Sequence, residues 1–306
     1  MSPTCVLAQP GADTLRIYEI LPEEAPDLHD ASLEDWKRLV PGPTLTEADS
    51  LHLTDRGPDY PIAPSIWFDL YLAWIGQPQR IYAGWEVRDD VWLLYQSEEM
   101  PYTHGRDRVI LLVDGNGGGD GYLGGGRDWE NCEERVLDPS FQGGWWCASD
   151  DGPAQAWEWS PYGEREPRLS VLLPEPRDWM AEPAWSEAGG CVGPQGNSLV
   201  MQGWVTPLDR CYAPGPEGSV ISHLSAGQAI RYLVNGNDYD GPAVDTEGHE
   251  QEAYFHLNMG GTAYRRPKSF NPKTWAVALL MPASARPTGV AAQSWGQVKR
   301  GTRAKP

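Results

Sequence analysis

No apolar run in this 306-residue chain approaches the roughly 18 residues needed to cross a bilayer, so no membrane-spanning helix is expected. Phenylalanine is scarce, with 4 residues against 15 tryptophans, while 34 glycines and 28 prolines punctuate the chain. That balance suits short strands joined by many turns and leaves little room for long helices. Basic residues are in deficit: 24 Lys and Arg against 43 Asp and Glu give a formal net charge of −19. Such a field repels phosphate backbones and anionic headgroups, so nucleic acid is not an expected partner. Motifs of catalysis are missing too, with no Gly-x-Ser-x-Gly elbow, no His-Glu-x-x-His pair and no P-loop. The glycine-rich run after Val113 is not followed by a helical pattern, and a dinucleotide fingerprint therefore fails its structural condition.

What is present begins with Val6-Leu7-Ala8 followed by Gln9, which reads as the tail of a secretory signal whose beginning lies upstream. Cys5 would leave with that signal, and Cys132, Cys147, Cys191 and Cys211 would remain. Neither pair has CxxC spacing, which removes support for zinc or thioredoxin-like chemistry. Two local disulfides suit an oxidising compartment, and four buried free thiols are the alternative.

Along the chain, Pro26 to Trp36 holds Asp30 and Asp35 around a turn that delivers Trp36 to an apolar site. Ile66 to Trp74 carries large residues on both phases, as a strand covered on both faces does. Gln77-Pro78-Gln79 supplies a turn, and Ile81 to Arg88 follows as a strand with Ile81, Ala83, Trp85 and Val87 on one face; together the two blocks make a hairpin. A third strand, Arg108 to Val113, runs into the Gly- and Asp-rich loop 114–122. From Leu123 to Gly196, insertions and exposed loops are expected around short strands at 144–148, 155–159 and 169–173. Strands are expected again at 199–206, 229–234 and 274–281, with one or two helical turns over 220–225 and a polar turn over 235–240 that echoes the exit after Val113.

The succession Leu70 to Trp74, Ile81 to Val91 and Asp107 to Gly115 resembles the family 9 carbohydrate-binding modules and their DOMON-like exported bacterial relatives. The resemblance runs over residues 26–285, and Ser294-Trp-Gly-Gln-Val-Lys299 is similar to endings of such exported proteins. It implies an all-β, antiparallel, jelly-roll-like sandwich, sugar recognition by aromatic stacking, bound calcium, and frequent attachment to glycoside hydrolases. The organisation expected is a signal remnant and leader over 1–25, the sandwich over 26–285, and a C-terminal extension with a basic tail over 286–306.

Candidate sites follow from residue chemistry. Asp114, Asn116 and Asp120 offer hard oxygen ligands on a glycine-rich backbone, the supply a calcium ion takes, although the full EF-hand register is missing; a merely flexible loop is the competing reading. Asp89 and Asp90 would approach that loop if their strands paired side by side. Trp92, Trp129, Trp145 and Trp146 lie in or beside loop segments, where an indole can stack on the apolar face of a sugar. Trp67, Trp74, Trp85, Trp204 and Trp275 fall within strands and are expected in the core. His249 and His256 beside Glu250 and Glu252 read as strand surface in preference to a metal site. The expected protein is a secreted or envelope-localised glycan-binding module, with calcium as candidate cofactor. A structural or interaction module with an envelope partner is the alternative, and a glycoside hydrolase ranks last.

Overall fold

The computed structural model describes residues 15–30, 32–40, 42–46, 51–53, 67–89, 108–118, 135–136, 146–147, 154–162, 165–173, 183–190, 198–210, 216–239, 251–257 and 275–287. Among them the chain is nearly all strand: β1 (Leu15–Glu19), β2 (Leu45–Thr46), β3 (Leu51–Leu53), β4 (Trp67–Ile75), β5 (Arg80–Arg88), β6 (Arg108–Asp114), β7 (Arg135–Val136) and β8 (Trp146–Cys147). The rest are β9 (Ala154–Tyr162), β10 (Arg165–Leu173), β11 (Ser186–Gly190), β12 (Ser198–Val205), β13 (Leu208–Arg210), β14 (Val220–Ile221), β15 (Ala229–Tyr239), β16 (Gln251–Leu257) and β17 (Ala276–Met281). One α-helix among these residues, α1 (Glu34–Leu39), is six residues long.

Thirteen strands make one mixed sheet along the path β10-β9-β6-β15-β17-β1-β4-β5-β12-β11, with β2, β3 and β16 paired beside it. Its inner face closes on a single buried cluster to which Val109, Leu111 and Val113 of β6 contribute together with Ile81, Trp85 and Val87 of β5. Strands that far apart along the path share one core only if the sheet folds over on itself, so the architecture is an all-β sandwich. The face expected for Ile81, Ala83, Trp85 and Val87 is the inner one. Trp74, Trp85, Trp204 and Trp275 are all buried, as expected of core indoles; the side chain of Trp67 lies outside the described residues.

Four expectations change. The sheet is not purely antiparallel, because β1 lies parallel to both β17 and β4. It slots between the last strand and the first hairpin, so the sandwich starts before residue 26, inside the segment read as leader. Residues 235–239 are not a turn: β15 continues through them because Asn235, Gly236 and Asn237 are paired on one side with β6 and on the other with β16. Backbone pairing on both edges overrides the turn preference of Asn, Gly and Asp. Residues 220–225 are not helical; Val220 and Ile221 pair with β13, and the chain beyond is irregular. The strands expected at 155–159 and 169–173 are present and longer, as β9 and β10, with β9 paired to β6 and β10 to β9.

The second face of β4 is also covered, as its two apolar phases require. Tyr71, Ala73 and Ile75 join Tyr82 and Trp204 in a separate cluster with Leu28, Leu33 and Trp36 of the N-terminal segment. Trp36 is fully buried, and its indole N–H donates to Gln202 Oε1 at 2.7 Å. Asp30 Oδ1 accepts from Ser32 N at 3.0 Å and Asp35 Oδ2 from Asp27 N at 3.1 Å, so these carboxylates shape the turn that presents Trp36. Two glycines clear the seat: a Cβ at Gly84 would lie 2.6 Å from the Trp36 ring, and one at Gly189 would strike the backbone of Leu28.

Candidate functional site

Strand directions sort the connections between two ends of the sandwich. β4 and β5 are antiparallel, β1 and β17 run with β4, β15 runs against β17, and β6 runs against β15. One end therefore gathers the 76–79 hairpin turn, the exits of β1, β6, β12 and β17, and the starts of β9 and β15. The connection that carries Trp129, Trp145 and Trp146 leaves from Asp114 and re-enters at Ala154, and those two residues are paired neighbours at this end. The connection that carries Trp92 leaves from the opposite end, after Arg88. Trp92, Trp129, Trp145 and the side chain of Trp146 lie outside the described residues.

The same sorting separates two groups of acids. Asp89 follows β5 and Asp114 ends β6, and because β5 pairs with β4 and β12 while β6 pairs with β9 and β15, the two carboxylates sit at opposite ends. The side-by-side pairing that would bring Asp89 to the Asp114 loop does not occur. Asp114 is fully buried, and its Oδ1 accepts from Gly117 N–H at 3.1 Å. Asn116 is exposed, and its Oδ1 accepts from Gly118 N–H at 2.7 Å. Gly117 has a φ of 67°, a left-handed conformation that glycine adopts without strain and that reverses the chain here. Each of these two side-chain oxygens thus spends one lone pair on the turn, and Asp120 lies outside the described residues. Among the described residues no three potential metal-ligating side chains come together. His249, Asp90, Cys132, Cys191, Cys211 and the side chains of Cys147 and His256 also lie outside them.

This turn is bonded to the loop that precedes β15. Gln228 Nε2 donates to Gly115 O at 2.8 Å while its Oε1 accepts from Ser225 N at 3.1 Å, and Arg231 Nε donates to Gly117 O at 3.1 Å. Gly115 leaves no room for a side chain, because a Cβ there would lie 2.8 Å from Pro207 Cβ and closer still to the Ser222 hydroxyl. Gln79 extends the scaffold from the other side. Its amide donates to Gly76 O and accepts from Leu224 N, so the hairpin turn and the 222–228 loop are fastened together.

Between them lies an open cleft of about 380 Å³. Leu21, 41% exposed, and Pro22 give it an apolar wall, backed by the buried Ile20 and Ile75. Gln77, His223 and Ser225 are exposed along its rim, and Glu19 enters from the end of β1. The lining thus combines exposed apolar surface with a few amide, imidazole, hydroxyl and carboxylate groups. None of these residues stands out in the sequence. Gln77 reads there only as a turn residue, and positions 19, 77 and 223 meet only through the strand order.

A second polar group decorates the outer face. The Trp204 indole N–H donates to Glu187 Oε2 at 2.9 Å, Glu187 Oε1 meets His29 Nε2 at 3.2 Å, and the Arg80 guanidinium lies 3.4 Å from the Trp204 ring centroid. These contacts fasten the N-terminal segment to β11 and β12 and close over Trp204, which is 2% exposed.

No protein-family model matches the sequence, and no curated protein matches it. The structure is similar to that of a family 9 carbohydrate-binding module from Caldicellulosiruptor kristjanssonii in complex with glucose, with 9% identity, a TM-score of 0.47, and coverage of 90% of this chain and 99% of that one. It is also similar to a family 9 module from the same organism in complex with cellotriose, at 11% identity, a TM-score of 0.45, and 91% and 99% coverage.

Proposed function

We propose that this protein is an exported, non-catalytic carbohydrate-binding module that takes a glycan at the hairpin end of its sandwich. The cleft carries the reading. Sugars present hydroxyls around a ring edge and apolar C–H groups on its faces, and the cleft sets amide, imidazole and hydroxyl groups beside the exposed Leu21 and Pro22. The connection bearing Trp129, Trp145 and Trp146 begins and ends at the same end of the sheet. Those indoles are proposed as stacking platforms that extend the cleft, and Trp92 as one that serves a separate surface.

Binding is preferred to hydrolysis because a glycosidase needs two carboxyl groups facing each other at roughly 5 to 9.5 Å. Glu19 is the one carboxylate among the described residues that line the cleft. Calcium at Asp114, Asn116 and Asp120 is a separate part of the proposal, supported by the oxygen-rich turn beside the cleft loop.

A glycan-array screen of the full chain, with calcium and again with chelator, tests the reading. Binding that disappears in the Trp145→Ala/Trp146→Ala double variant is the expected result. Silence across the array from folded protein overturns it and favours an interaction module of an envelope complex, for which the exposed Val220 and Ile221 of β14 would supply an apolar contact.

A further inference from the structure

Resting on the reading of the cleft as a sugar site, we infer that it selects glycans carrying a free amine, with Glu19 as the selecting residue. Glu19 closes β1, and its carboxylate lies beside the hairpin turn, where a Cβ on Gly76 would be 3.4 Å from Oε1. Its Oε2 accepts one long hydrogen bond, from Ala283 N–H at 3.3 Å. No Lys or Arg among the described residues pairs with it. Arg286, three residues beyond Ala283, is instead committed to Glu24, with Nη2 2.6 Å from Oε2 and 3.0 Å from Oε1. The cleft thus holds a carboxylate whose acceptor capacity the described residues leave largely unspent and whose charge they do not neutralise.

The surroundings sharpen the selection. His223 is the other ionisable side chain among the described lining residues; the remainder are amides, a hydroxyl and apolar groups. A sugar hydroxyl gives the Glu19 carboxylate a hydrogen bond with charge on the acceptor alone, whereas an ammonium brings opposite charge on the donor as well. A uronic acid meets the carboxylate with like charge, and the net charge of −19 opposes it at longer range. The order of preference is amino sugar, then neutral sugar, then uronate.

Isothermal titration of the full chain with size-matched trimers separates the possibilities: the free-amine glucosamine trimer, its N-acetylated counterpart, cellotriose and a galacturonic acid trimer. The amine trimer should bind about fivefold more tightly than the N-acetylated one at low salt, and less so at high salt. Glu19→Gln should bring the amine trimer to within about twofold of its N-acetylated counterpart and improve the uronate relative to both. Neutral trimers that bind with no amine preference, or a preference that survives Glu19→Gln, overturn the role of Glu19 while the sugar site stands. Failure of every trimer to bind folded protein overturns both.

Discussion

Gly84→Ala should destabilise the protein by about 2 to 3 kcal/mol, although alanine is the better strand residue. The added Cβ would lie 2.6 Å from Cε2 and Nε1 of Trp36 and 3.1 Å from Cδ2 of Leu33. The indole has little freedom to yield. Its N–H is bonded to Gln202 at 2.7 Å, and its ring rests against Tyr71 at a centroid distance of 6.3 Å. Overpacking of this kind costs about 1 to 3 kcal/mol. If the ring lifts off instead, the loss moves toward the ~3 to 5 kcal/mol of a buried tryptophan truncation. The Gln202 Oε1 then loses its donor at a further cost of about 1 to 3 kcal/mol. The strand preference of alanine over glycine returns only about 0.5 to 1 kcal/mol. Urea unfolding followed by fluorescence and circular dichroism measures the single variant. The decisive comparison is Gly84→Ala in a Trp36→Ala background, where the collision is gone and the substitution should cost less than about 0.5 kcal/mol. A neutral Gly84→Ala, or an equal cost in both backgrounds, refutes the reasoning.

Further outcomes follow from the charges and the turn. The Tyr71 hydroxyl is pushed up to about 12 by burial and then by the carboxylates of Asp69, Glu86 and Glu34. The fold therefore holds that proton more tightly than the unfolded chain does. Its contribution, about 2 kcal/mol, is intact below the unfolded value near 10 and is lost as pH rises through the folded one, so a Tm profile over alkaline pH should flatten in Tyr71→Phe. The Glu24 carboxyl is held below the usual range chiefly by the Leu21 N–H and also by Arg286, while burial opposes both. Its stabilisation is present above the unfolded carboxylate value and fades as pH falls through the lowered one. Arg286→Met should cost about 1 kcal/mol at neutral pH and less in acid, measured by urea titration at both. Chelation should lower Tm by a few degrees if calcium holds the Asp114 turn, and an unchanged Tm removes that part of the proposal.

Much of the sheet is legible locally. Ile66 to Trp74 shows its two covered faces because both phases are apolar, and the structure supplies a separate cluster for each. The hairpin around Gln77-Pro78-Gln79 and the role of Asp30 and Asp35 in presenting Trp36 can be read because each involves residues near in sequence. The receiving side cannot: Gly84 and Gln202 look unremarkable until β5 and β12 lie beneath the indole. Misreadings occur where pairing decides, as at Asn235 to Asn237, whose composition suggests a turn but whose backbone is held on both edges.

The cleft was hidden for the same reason. Glu19, Gln77 and His223 carry no shared motif, and they are neighbours only because β1 slots beside β4 and Gln79 fastens the hairpin to the 222–228 loop. By itself, the sequence determined the class of the fold, the core tryptophans and the acidic surface, since composition and alternation act through local backbone preference and burial. Which acids share an end, which loops adjoin, and where an uncommitted carboxylate faces a cleft were decided by strand order and direction, because long-range pairing is selected by the packing of the whole sheet.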